Sequence, residues 1–252
     1  MPNYASNIGK HSFMLAPNQP LGWLLRLPLR LAPLDSALPI LTGPNRGLKW
    51  VVGAGNKSCW LGTYEKSIAE SIASRIKPGM TAFDVGAHAG YYTLMLSRLV
   101  GPQGRVFSFE ANPDNANKLR RHLQINRIKN VELIEAAVSD RNGTAFFDID
   151  AGLRKFGQMG AKYGYMGELA ESGIPVRTVV LDDFPIPDLI KMDIEGAETR
   201  AFIGAPRLLS ARRTSIFLAL HDQTIEETPA LLKRHNFLLQ PIAERETWAL
   251  PA

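Results

Sequence analysis

The stretch TAFDVGAHAGYY, residues 81–92, constrains the fold more than any other part of this chain. A short apolar run ends in Asp84 and a glycine turn, and an apolar helical pattern begins at once. This strand-turn-helix unit opens a parallel α/β sheet. The following text keeps the same rhythm. RVFSFE (105–110) reads as a second strand. Asn112 and Pro113 then cap and start a helix that runs to about Asn126. VELIEAAVS (131–139) reads as a third strand, DLIKMDIEG (188–196) as a fourth and SIFLALH (215–221) as a fifth. Helical patterns lie between them, and FLLQPI with TWALP closes the chain as an antiparallel pair. Alternation of this kind predicts right-handed crossovers and a Rossmann-like, seven-stranded, mostly parallel sheet.

Two regions break the pattern. Residues 1–62 read as an N-terminal arm and a β-hairpin, with LKWVVG (48–53) pairing with CWLG (59–62). The remaining 63–252 form one α/β domain with an insert at about 141–180. That insert reads as two strands around a glycine-rich loop, 151–175, with the composition of a mobile lid. The apolar stretch 20–41 is interrupted by Arg26, Arg30, Asp35 and three prolines, so it cannot span a membrane as a helix. No signal peptide is evident at the start, and with one cysteine, Cys59, no internal disulfide and no Cys-based zinc site can form. A cytoplasmic location fits. The net charge of +5 is modest and scattered, which does not favour a nucleic-acid partner.

The glycines of the first loop are spaced wrongly for a dinucleotide. An acid at Asp84, before the turn, would repel a pyrophosphate but not a cationic amino-acid tail. Glu110 ends the second strand 20 residues after Gly90, where a carboxylate suits ribose hydroxyls. A ligand with an ammonium group, a ribose and an adenine is S-adenosylmethionine. Its expected site is Asp84, Gly86, Ala87, His88 and Gly90 in the loop, Glu110 and Ala111 at the second strand, and Ala137 and Ser139 (or Asp140) beside the adenine. Asp193 faces the methyl group.

FDVGAHAGYYTL, FSFEANP, AAVSD, TVVLDDF and above all IKMDIEGAE, followed by IGA, resemble the FkbM family of methyltransferases over about residues 62–222. The leader GPNRGLKWVVGAGNKSCWLGTYE is also similar to one found in part of that family. The resemblance implies S-adenosylmethionine as donor and a hydroxyl acceptor on a sugar, glycan or natural product. One position departs: the family's fifth strand has a glutamate two residues before the histidine, and here Ala219 stands there, ahead of His221.

For O-methylation, His221 is the expected base, with Asp193 orienting it or the substrate. Lys191, two residues before Asp193, is expected on the same strand face and would keep that carboxylate ionised. A Mg²⁺ ion held by Asp193, His221 and Asp222 is a less favoured alternative. His11, His122 and His235 read as surface residues, Asp182 and Asp183 as loop anchors, and Tyr163 and Tyr165 as candidates to stack on a sugar. Two other functions stay open: an RNA 2′-O-methyltransferase, suggested by basic charge and the Lys191–Asp193 pair, and a non-catalytic cofactor-binding relative, suggested by Ala219. A homo-oligomer is compatible with everything in the sequence.

Overall fold

The computed structural model describes residues 32–148, 165–167 and 174–252. It divides into two compact units, Met1–Lys66 and Ser67–Ala252. In the first unit, strand β1 (Ala37–Pro39) pairs antiparallel with β2 (Lys49–Val51), Leu38 opposite Trp50. The expected hairpin partner of β2 is instead a helix, α1 (Lys57–Leu61). The end groups decide this. The Asn56 side chain accepts the Ser58 amide as an N-cap, and Gly62 stops the helix in the left-handed region at φ 76°. Trp50, Trp60 and Leu61 are buried, and so is Cys59, whose thiol is pushed up to about 12, chiefly by burial.

All but the first residue of α2 (Lys66–Ala73) belongs to the second unit, which continues as β3 (Thr81–Val85), α3 (Tyr91–Val100), β4 (Arg105–Phe109), α4 (Pro113–Ile125) and β5 (Val131–Ile134). After the insert come β10 (Leu189–Met192), α5 (Glu198–Ile203), α6 (Pro206–Ala211), β11 (Ser215–Ala219), α7 (Glu227–Arg234), β12 (Phe237–Pro241) and β13 (Glu246–Pro251). The main sheet has the order β12-β13-β11-β10-β3-β4-β5. All neighbours are parallel except β13, which runs antiparallel to both β11 and β12. This is the Rossmann-like architecture the alternation predicts. The central strands read as unbroken apolar runs because helices cover both faces. Phe83 meets Phe107 and Phe109 edge to face at 5.3 and 5.4 Å, each buried ring adding about 2–3 kcal/mol of apolar burial.

The strand order reverses at β3: the chain runs outward through β4 and β5, then returns to β10 on the other side. Ligands of open α/β sheets sit at such a reversal, beyond the C-terminal strand ends.

The predicted third strand is two strands. Residues 135–136 turn the chain, and β6 (Ala137–Val138) joins a second sheet of order β6-β9-β7-β8. Its other members, β7 (Gly143–Asp148), β8 (Tyr165–Gly167) and β9 (Ile174–Val179), come from the insert. The expected lid at 151–175 falls mostly outside the described residues, as does Tyr163; Tyr165 begins β8. The helical stretch after β10 is broken at Gly204–Ala205. Pro206 restarts it, and a Cβ on Gly204 would overlap the Ser139 carbonyl oxygen. Asp182 does anchor a loop: its carboxylate accepts the amides of Arg207 and Leu208 at the start of α6.

His122 corrects a surface assignment. It is fully buried on α4, with Nδ1 2.7 Å from the Ala89 carbonyl, and its pKa is lowered to about 4, mainly by burial. No helix among the described residues is long and apolar enough to cross a membrane.

Candidate active site

The β3–α3 turn is built around two glycines. Gly86 sits at φ 80°, and any Cβ there would overlap the Asp193 carbonyl oxygen; Gly90, at φ 94°, opens α3 against Leu119. Between them His88 holds φ 51°, a conformation that costs a side-chain-bearing residue free energy and needs outside support. Glu110 gives that support. Its Oε2 accepts the His88 amide at 2.6 Å and its Oε1 accepts the Asn112 amide at 2.8 Å. Burial raises the Glu110 pKa to about 6 against these hydrogen bonds. The Asn115 side chain also hydrogen-bonds this carboxyl group. Next to it, Asn112 Nδ2 and Asn115 Oδ1 are buried with no hydrogen-bond partner among the described residues. Burial also depresses His88 to about 4, so the imidazole is neutral at physiological pH.

Asp84 lies at the foot of this turn. It is fully buried, its Oδ2 accepts the Thr93 hydroxyl at 2.6 Å, and Lys191 Nζ lies 3.4 Å from its Oδ1. Its charge is therefore compensated inside the protein by Lys191. Lys191 stands directly opposite Asp84 in the β10–β3 register, and it also donates to the Gly86 carbonyl at 3.0 Å. Lys191, expected beside Asp193, is 4% exposed and braces the loop.

The adenine side differs in part. Ala137 and Ser139 are buried, but the Ser139 amide donates to the Val179 carbonyl and its hydroxyl to Asp140. That amide is not available to read an adenine edge. Ala111, between Glu110 and the Asn112 cap, is half-buried.

At the other side of the reversal, β10 and β11 end in a cluster. His221 Nε2 lies 3.2 Å from Glu195 Oε2 and 3.7 Å from Asp193 Oδ1, and its Nδ1 lies 2.9 Å from Glu198 Oε1. Glu198 is buried on the first turn of α5, and its Oε2 accepts the Thr224 hydroxyl at 2.6 Å. Glu195 adopts φ 54°. Burial alone would lower the His221 pKa, but the Glu198 hydrogen bond and the three carboxylate charges outweigh it and raise it. Burial likewise pushes Glu198 up, and the His221 and Thr224 hydrogen bonds reverse that, leaving it lowered. The expected trio Asp193, His221 and Asp222 does not assemble, because Asp222 pairs with Arg245 at 2.7 Å. Asp193, Glu195 and His221 do converge, with one ligand atom from each within 4.8 Å of the others.

Residues 84–240 match the model of the methyltransferase FkbM domain. The chain belongs to that family. Among curated proteins it is 27% identical over 203 residues to the 31-O-demethyl-FK506 methyltransferase FkbM of Streptomyces tacrolimicus, covering 68% of this chain and 76% of that one. It is also 27% identical over 169 residues to the 2-O-methyltransferase NoeI of Sinorhizobium fredii, covering 60% and 67%. A solved FkbM methyltransferase from Methylobacillus flagellatus is 16% identical, with 77% of this chain and 55% of that chain covered and a TM-score of 0.49. The chain also matches protein-L-isoaspartate O-methyltransferases, but spans only 28% and 33% of the length of two of them.

Proposed function

We propose that this FkbM-family chain transfers a methyl group from S-adenosylmethionine to a hydroxyl of a glycan or other natural product. The observation behind this reading is the contact between Gly86 and the Asp193 main chain. It brings the mouth of the cofactor loop against the cluster that holds His221. Asn112 Nδ2 and Asn115 Oδ1, beside Glu110, fit the ribose side of the cofactor, since they are a buried donor and a buried acceptor without a hydrogen-bond partner among the described residues. When bound, S-adenosylmethionine supplies an electrophilic methyl group. The chain's own residues hold the acceptor and remove its proton. His221 Nε2 takes that proton, while Asp193 and Glu195, both facing Nε2, orient the hydroxyl and stabilise the imidazolium that forms. The relatives named above are O-methyltransferases by name, which supports the acceptor class.

Two alternatives each lose an argument. The RNA reading leaned on basic charge and on Lys191 beside Asp193, and Lys191 is buried against Asp84. The non-catalytic reading leaned on Ala219, yet a carboxylate does reach His221, from Glu198.

Calorimetric titration with S-adenosylhomocysteine tests the reading. The wild type binds, Glu110→Gln binds about tenfold more weakly, a loss of about 1.4 kcal/mol, and wild-type affinity falls below pH 6 as Glu110 protonates. A wild type that does not bind overturns the proposal.

A further inference from the structure

We infer that Glu198 is the positioning residue of the site: it fixes His221 in the tautomer protonated at Nδ1 and turns Nε2 toward Asp193 and Glu195. The inference rests on the reading of His221 as the base, and it assigns the orienting role to Glu198, on the helix, in place of Asp193.

The geometry separates the two acids. Asp193 lies on the Nε2 side of the ring, 3.7 Å away, so it cannot hold the opposite nitrogen. Glu198 Oε1 lies 2.9 Å from Nδ1. The same oxygen faces the amides of Gly196 at 3.2 Å and Ile194 at 3.4 Å, and Oε2 accepts from Thr224 at 2.6 Å. Four donors from two turns thus converge on one carboxylate with no exposed surface. A buried carboxyl group surrounded by donors is held ionised, and an ionised carboxylate only accepts. Nδ1 faces this fully buried carboxylate at 2.9 Å, whereas Nε2 faces the partly open Glu195 and Asp193 at longer range, so Nδ1 keeps its proton when the imidazolium loses one and the lone pair of the neutral ring falls on Nε2, the atom that would meet the acceptor hydroxyl. The wrong tautomer would point an N–H at that hydroxyl and could not take its proton.

Glu198 also ties together the parts that must stay in register. Through Ile194 and Gly196 it holds the turn that carries Glu195 in its left-handed conformation, and through Thr224 it holds the turn after β11. Among the described residues, the charged groups facing the ring are Asp193 and Glu195 from the β10–α5 turn and Glu198 from α5.

The experiment is long-range ¹H–¹⁵N spectroscopy of ¹⁵N-histidine-labelled protein dialysed against EDTA, above the His221 titration, with His221 assigned by its loss in His221→Asn. The expected wild-type pattern is a protonated Nδ1 and a bare Nε2. Glu198→Leu, which removes the acceptor at Nδ1 and leaves Glu195 and Asp193 facing Nε2, shifts His221 to the Nε2–H form, whereas Thr224→Val, which keeps the carboxylate, does not. A wild type already in the Nε2–H form overturns the inference even if Glu198→Leu fails to fold. A folded Glu198→Leu with an unchanged tautomer overturns it too. S-adenosylhomocysteine titration of the same wild-type sample separates the two readings. Failure to bind with the Nδ1–H pattern intact sinks the methyl-transfer reading and leaves the Glu198 assignment standing.

Discussion

Two acid clusters flank the strand reversal, and they are built on opposite plans. Around β3 and β4, Asp84 and Glu110 are buried and spend their hydrogen bonds on Thr93 and on backbone amides, with Lys191 as the counter-charge for Asp84. Around β10 and β11, Asp193 and Glu195 stay partly open, 34% and 24% exposed, and face one imidazole. The first cluster shapes a loop and must not move. The second presents groups whose protonation can change during a reaction. The difference teaches that a motif acid can also work as scaffold: Asp84, through Thr93 and Lys191, helps to hold the loop.

The sharpest way to break the comparison is to remove the counter-charge. Lys191→Met leaves Asp84 buried and uncompensated and should cost about 3–5 kcal/mol in urea unfolding, with Asp84→Asn added to it recovering much of the loss. A cost below about 1 kcal/mol would mean that Lys191 does not brace the loop. The next effect is steric. Gly86→Ala forces a side chain into a left-handed turn and against the Asp193 carbonyl, at a cost of about 2–3 kcal/mol. It should also abolish S-adenosylhomocysteine binding by calorimetry, and full binding would detach the loop from the pocket.

The smallest effect belongs to the open cluster. The folded His221 pKa is raised above 6.5, so its contribution to stability is complete below the unfolded pKa and lost as pH rises through the folded one. Between pH 6 and 8 the wild type should therefore lose stability relative to His221→Asn, by under about 1 kcal/mol because water reaches part of the ring and screens the pair. An identical pH slope in the two proteins would place the imidazole outside the carboxylates' field.

The sheet was legible because its strands are buried on both faces and separated by well-punctuated helices. Much of the site was not. Lys191 and Asp193 looked like neighbours on one strand face, but β10 ends at Met192, so the two-residue alternation stops before Asp193. The cross-strand register then gives Lys191 to Asp84, a relation between positions more than a hundred residues apart. Glu198 went unassigned because its partner comes from a different element, reached only when α5 folds back beside β11. His122 looked polar and exposed on a helix rich in charge, and only the Ala89 carbonyl above it reveals a buried acceptor. CWLG looked like a strand from its apolar residues, although the deciding groups, Asn56 and Gly62, lie just outside it.

The small second sheet has a consequence for how such a protein diversifies. Strands β7 and β9 run side by side from Gly143 opposite Thr178 to Phe147 opposite Ile174. Whatever chain lies between them leaves and returns at one edge, hung on a ladder that is not part of the main sheet. Loop closure there is already satisfied by main-chain pairing, so length and composition can change at little cost to the rest. Sequence exchanged between these two strands therefore need not disturb the register of the main sheet.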